Sequence, residues 1–525
     1  MVRTPKFIVS ALLLTLAMGS YIVVGGNAQK LSKVKTAEEY WAETGLSSQA
    51  LEELLQEGSC ESSERYFYAC VNAIQSASQK FGFDLTVQGQ LVPSSKSASQ
   101  TFTEKEILAP WKAYLSSQKQ IPTLPFLAIW KNLSAKIKSE QQSYAVGLGM
   151  NGFLSVFRDP HTYLLPANMY TEVVAKANPK SLSIGVVVGR DDQHYFVKKV
   201  IENSSAYLAG IKKGDVILSV NDKKADGLTA QELGEMLRGE AGSILEIEIR
   251  RHSETKEIRI VRSEQTLPTV STQMLEGITP VGVLTINKFA INACQEVRTG
   301  LSALRRQGIR GLLLDLRDNP GGQMEEATCI TGLFVGPGKK VFDIKNLALD
   351  MEDESSFTTE EAEYTGPIAV LINAGSASAA EIVAGALQDY KRATLVGERT
   401  FGKGSFQEGE LWAKNDKIAI FETKGFYYLP SGRSPQMTGL MPDVRVTFKD
   451  RFALREEDQF WNPLQAPIVS LAGIGISGLG LSSNLQPDLA TCISFDSDFL
   501  PPEDPEMKEA HRVLNCRGIA ERGAR

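Results

Sequence analysis

Between residues 36 and 157 the apolar positions recur at helical spacing, as in Ala50-Leu51-Leu54-Leu55 and Tyr66-Tyr68-Val71-Ile74. This predicts a helical region broken by a polar turn at 92–97. From 183 to 262 the period shortens into strand-like runs, among them 184–188, 195–197, 215–220 and 244–249, with one short helix at 230–237. That stretch predicts a small β-rich domain. Residues 280–400 then alternate buried strands (281–286, 311–316, 367–372, 394–396) with helices (292–307, 323–334, 379–391), the pattern of an α/β layer. The acidic run 350–363 between them predicts a solvated loop. Short strands return over 405–446, and the tail reads as a Gly/Ser linker at 473–483 followed by a helical piece near 506–514.

The division that follows is 1–28, 29–170, 171–265, 266–450 and 451–525. The first of these is a class of its own. Arg3 and Lys6 precede the apolar run 7–24, and Gly25-Gly26-Asn27-Ala28 supplies small residues, the arrangement of a secretory signal cut after Ala28. An uncleaved membrane anchor is the alternative, because the run just reaches spanning length. Export, most simply to a periplasm, is expected by either route. Six cysteines in an exported chain favour disulfides, and sequence proximity suggests Cys60–Cys70 and Cys492–Cys516. No CxxC or His/Cys cluster suggests a metal, and no cofactor is expected. The remaining composition is that of an ordinary globular protein: 42% hydrophobic, 22% charged and a net charge of −6. A nucleic-acid partner would call for a basic surplus, and there is none.

Three segments carry candidate chemistry. Asn373-Ala374-Gly375-Ser376-Ala377-Ser378-Ala379-Ala380-Glu381 joins a buried strand to an amphipathic helix. Ser378 there is either a helix cap, in a Ser-x-x-Glu capping box with Glu381, or a nucleophile whose oxyanion would meet the Ala379 N–H at the helix start. Gly397-Glu398-Arg399-Thr400-Phe401-Gly402-Lys403-Gly404 nearly spells a phosphate-binding loop, but Gly404 stands where that loop needs Ser or Thr. A lysine among glycines and apolar residues instead suits a neutral general base. With only four histidines in the chain, only His161 remains for a Ser-His pair, and a Ser-Lys pair is the economical alternative. The third segment, Leu314-Asp315-Leu316-Arg317-Asp318-Asn319-Pro320-Gly321-Gly322, runs a buried strand into a turn at the sheet end where α/β proteins bind ligands.

Together with Asp159-Pro160-His161-Thr162, Ser205-Ala206-Tyr207-Leu208-Ala209-Gly210 and Gly439-Leu440-Met441-Pro442-Asp443-Val444, these segments resemble the carboxyl-terminal processing proteases, tail-specific peptidases with an embedded PDZ domain. The resemblance runs from about Asp159 to Val444 and implies an α/β serine-protease core, an embedded PDZ-like β-rich domain and an N-terminal helical region. It implies Ser378 as nucleophile, Lys403 as base and Gln407 as the residue that orients the lysine. The oxyanion hole would use the N–H groups of Ala379 and Gly321. The family usually has Ser where this chain has Ala380, and Ile-Gln where it has Pro435-Gln436.

The implied reaction is peptide hydrolysis through an acyl-enzyme. A lysine of ordinary pKa is neutral only about once in 2,500 at pH 7, so burial must lower it by ~3 units. Protein or peptide substrates with apolar C-termini would add a strand to the edge at 182–187, with Leu182, Ile184 and Val186 facing Leu233 and Leu237 of the short helix. A self-associating or adaptor-dependent enzyme is compatible with the sequence. The alternatives are a catalytically silent PDZ scaffold that binds protein tails, or an esterase or amidase using the same dyad on small substrates.

Overall fold

The computed structural model describes Phe7–Val9 and residues 35–94, 103–170, 180–446, 455–466 and 504–523, apart from short breaks within these ranges. The helical region is centred on α1 (Glu64–Lys80) and α2 (Gln142–Phe157), whose buried faces share one core with Trp111, Phe126 and Trp130. Cys60 and Cys70 form a disulfide at its edge, as sequence proximity suggests. Asn72 on α1 bonds the Gly152 carbonyl of α2 (2.8 Å), which gives a buried amide its partner.

The β-rich domain begins and ends side by side, at the paired strands Lys180–Ser181 and Gln265–Thr266. Its sheet ends in the edge strand β1 (Val186–Arg190), which among the described strands pairs with Tyr195–Val200 alone. The short helix α3 (Ala230–Leu237) turns Leu233 and Leu237 into the domain core.

The third domain is an α/β layer. Strands β2 (Val281–Ile286), β3 (Gly311–Asp315), β4 (Ile368–Ile372) and β5 (Thr394–Gly397) are parallel neighbours in chain order. β3 and β4 are buried at every residue, so continuous apolar runs replace alternation, as expected for a sheet covered on both faces. One face carries the helices Ala293–Arg306 and Met324–Val335 and α4 (Ala379–Asp389), with Cys294 and Cys329 joined in a disulfide between the first two. That pairing is not suggested by proximity, since 35 residues separate the two cysteines. The strands β6 (Ser405–Trp412) and β7 (Asn415–Tyr428) form a hairpin in a second sheet, to which Tyr163–Pro166 of the helical region adds a strand. Phe7–Val9, within the expected signal segment, lies antiparallel to β6.

The helical piece expected near 506–514 is present as α5 (Pro505–Gly523), and it covers the second face of the central sheet, packing Ala510, Val513 and Leu514 on Val281, Leu313, Ala369 and Leu371. The expected linker at 473–483 lies outside the described residues, as does Cys492 and hence the Cys492–Cys516 pairing. One expectation changes: the acidic run is not only a solvated loop, because Glu354–Phe357 forms a strand and Glu360 and Glu363 both pair with Arg298.

Candidate active site

The parallel strands deliver their C-terminal ends to one edge, where β4 runs through Asn373–Ala377 into α4. Ser378 sits at the first turn of α4 with φ 55° and ψ −117°. The helix caps Thr36, Ser63, Thr103 and Ser204 are all extended and each accepts a bond from the first turn. Ser378 has their sequence context without their backbone. A positive φ is strained for a residue with a side chain, and such strain persists only where surroundings impose it.

Glu381 is one source of that constraint. One of its oxygens accepts the backbone N–H groups of both Ser378 (2.9 Å) and Lys403 (2.8 Å). The other accepts Thr400 Oγ1 (2.5 Å) and the Gly402 N–H (2.9 Å). Tyr427 makes a second clamp, its hydroxyl lying within hydrogen-bond distance of the carbonyls of Lys403 (2.5 Å) and Ser378 (3.2 Å). Glu381 is fully buried, and this burial pushes its carboxyl up to about 7 despite the four donors. A capping box accounts for the bond to Ser378; the bonds to 400–403 come from 20 residues further along the chain and were not legible from local spacing.

Lys403 is fully buried, and Nζ donates to Gln407 Oε1 (2.7 Å) and to the Ser405 carbonyl (3.2 Å). Desolvation lowers its ammonium to about 8, against the opposing pull of Glu456, Asp159 and Glu381. At that value about one lysine in ten is neutral at pH 7. Gln407 is oriented in turn: its Nε2 donates to Ser405 Oγ (3.1 Å) and Thr423 Oγ1 (3.3 Å), and Thr423 donates to Asp159 Oδ1 (2.8 Å). Asp159 also accepts from the His161 N–H and from Thr162 Oγ1. The Asp159–Thr162 turn of the helical region therefore stands behind the lysine. His161 is not drawn toward a serine; its Nε2 lies 3.1 Å from Glu456 Oε2, and Glu456 accepts from Gln436, whose Oε1 accepts the Gly404 N–H. Sequence reading missed Glu381, Thr423, Tyr427 and Glu456 in these roles, because each acts across a long chain separation.

Gly321 (φ 97°) packs directly on Ser378 and Ala379; a Cβ there would lie 2.8 Å from Ser378 Cβ and 3.0 Å from Ala379 N. Only glycine fits such an approach at that φ. Its N–H is already engaged, donating to Asn319 Oδ1 (2.8 Å), so an oxyanion at Gly321 competes with Asn319. Ala379 is the first residue of α4, where a helix leaves its backbone N–H unpaired. Ser376 has a packing role: its hydroxyl donates to the Leu316 carbonyl (2.8 Å) and accepts the Asn373 N–H (3.0 Å).

In the β-rich domain, Leu182 lies outside the described residues. Ile184, Leu233 and Leu237 are buried within the domain's own core, and Val186 is half-buried at the start of β1. The described edge strand begins at Val186, so Ile184 precedes it rather than lying in it. Three of the residues expected to line a pocket instead fill the core.

Residues 280–446 match peptidase family S41, and residues 196–251 match the PDZ domain. The carboxy-terminal-processing protease of Bartonella bacilliformis is 32% identical over 305 residues, 57% of this chain and 68% of that protein. A probable CtpA-like serine protease of Staphylococcus epidermidis is 29% identical over 298 residues, 57% of this chain. The chain spans 60% of that staphylococcal relative's length. Among solved structures it is similar to the photosystem II D1 C-terminal processing protease, with a TM-score of 0.41 and 24% identity over 65% of this chain and 91% of that one. Ser378, Lys403 and Gln407 all fall within the S41 match, and the β-rich domain holds the PDZ match. The chain belongs to the carboxy-terminal-processing proteases of peptidase family S41.

Proposed function

We propose that this chain is an exported, most simply periplasmic, serine endopeptidase that cleaves proteins selected by their C-terminal tails, with Ser378 and Lys403 as its dyad. The observation that carries the reading is the shared clamp: one Glu381 oxygen holds the backbones of both residues, and Tyr427 holds them again from the carbonyl side.

Neutral Lys403 takes the Ser378 proton as Oγ attacks the scissile carbonyl carbon. The resulting oxyanion faces the Ala379 N–H, reinforced by the start of α4. Collapse breaks the C–N bond, and the lysine returns its proton to the leaving amine. Water then repeats the sequence on the acyl-enzyme, releasing the new carboxylate and regenerating Ser378. Gln407 accepts from the amine and fixes the direction of its lone pair. No metal or cofactor enters these steps.

The PDZ domain selects. Among the described strands its edge strand β1 pairs on one side, and an extended tail adds to the other by main-chain hydrogen bonds, with apolar C-termini preferred. The test incubates the purified full chain, and its Ser378→Ala form, with an unfolded protein and with a small ester. Cleavage of the protein by the first form alone supports the reading. Ester turnover without protein cleavage, or equal cleavage by both forms, rejects it.

A further inference from the structure

The C-terminal helix α5 is tied to the active-site turn by a buried arginine. Arg317 sits two residues past β3, in the turn that leads to Gly321. Its Nη1 donates to Asp504 (2.9 and 3.1 Å), just before α5, and to Glu506 (2.6 Å), in its first turn. Its Nε and Nη2 hold Asp315 at the strand end (3.0 and 2.7 Å). Guanidinium and carboxylates are all largely enclosed, at 14% exposure for the arginine and 11% or less for its partners. Charge-assisted pairs in such a setting fix geometry strongly.

The same turn is bound on its other side to the loop that carries the serine. Asp318 N–H donates to Asn373 Oδ1 (2.9 Å), Ser376 Oγ to the Leu316 carbonyl, and Ala377 N–H to the Asn319 carbonyl (2.9 Å). Gly321, at its end, touches Ser378 and Ala379. The turn is thus gripped between the serine loop and the tail. Lys213 of the PDZ domain also approaches Asp504 (3.5 Å), so the acidic pair faces both domains.

We propose that Asp504 and Glu506 are positioning residues for catalysis, holding the 315–322 turn against Ser378 through Arg317. This rests on the peptidase reading for its kinetic consequence, but its structural consequence can be read without activity. In Asp504→Asn/Glu506→Gln, Arg317 keeps Asp315, and the apolar face of α5 is untouched. The expected result is a fall in kcat of about tenfold with KM within about twofold, the cost of a displaced catalytic loop. Hydrogen exchange in 315–322 should rise by about tenfold while exchange in β4 is unchanged. Restoring a carboxylate with Asp504→Glu/Glu506→Asp should recover most of kcat. Val513→Ala separates positioning from packing: it loosens α5 on the sheet, leaves the ion pairs, and should lower Tm without lowering kcat.

Unchanged kcat and unchanged exchange in the double variant overturn the inference. So does a Val513→Ala enzyme that loses kcat in the same proportion to its Tm. If the wild-type chain cleaves nothing, the peptidase reading fails, and the exchange measurement still decides whether the tail holds the turn.

Discussion

Lys403 in the peptidase core and Ile184 in the PDZ domain are equally enclosed, both at 0% exposure, and enclosure means different things for the two. An apolar side chain is at rest in a core, so the burial of Ile184, Leu233 and Leu237 signifies only that the PDZ domain has one. A buried ammonium or carboxylate must be satisfied by neighbours or lose its charge. Around Lys403 and Glu381 that requirement recruits Ser378, Gln407, Thr400, Gly402, Thr423 and Tyr427 into one constructed site. Between these two regions, buried charge with converging partners marks a constructed site, and apolar burial marks packing.

The contrast breaks most visibly at the lysine. Lys403→Ala should reduce protein cleavage by about a thousandfold or more, and adding Ser378→Ala should cost nothing further, because the two act as a unit. Near-normal turnover would remove Lys403 from the dyad. Next in size is Glu381→Gln, which sets an amide N–H2 where four donors now converge. We expect kcat to fall about a hundredfold with KM little changed, and stability to drop by about 1–3 kcal/mol in chemical denaturation, as donors go unpaired. Retention of full kcat would reduce Glu381 to a helix cap. Gln407→Ala should cost about tenfold in kcat and Thr423→Val about threefold, measured on one unfolded substrate, since each is a step further from the amine. A larger loss in Thr423→Val than in Gln407→Ala would invert the chain of orientation.

Smallest are the effects in the PDZ domain. A substrate with its native apolar end should be cleaved a few times faster than the same substrate ending in an amide or in two aspartates. Equal rates for all three would show that the domain does not read C-termini. On the other side of the contrast, Ile184→Ala should act through stability, at about 2–5 kcal/mol, as core truncations do.

Much of the architecture is legible in the pattern of the chain. The continuous apolar runs of β3 and β4 and the turn segments after them place the α/β sheet and its functional edge, because periodicity and punctuation are local properties. Ser378 at a helix start and Lys403 among glycines stand out in the chain itself, whereas Gln407 is reached only through the family resemblance. What the chain conceals is long-range: Cys294 with Cys329, Asp159 behind Gln407, and Asp504 with Glu506 on Arg317. An amphipathic tail helix shows that it packs without showing on what, and an alternating strand does not tell a groove from a core.

The most direct test is kcat/KM against pH for a peptide with no group titrating between pH 6 and 10. Lys403 works only when neutral, so the rate should climb about tenfold per pH unit and level off near pH 8, where burial has placed its titration. The same lowered pKa makes the folded chain bind fewer protons than the unfolded one between about pH 8 and the ordinary lysine range, so stability should rise with pH across that window. The residual rate of Lys403→Ala should lack the inflection. A wild-type profile that is flat from pH 6 to 9, or an inflection near pH 8 that survives unchanged in Lys403→Ala, would contradict a buried neutral lysine as the base.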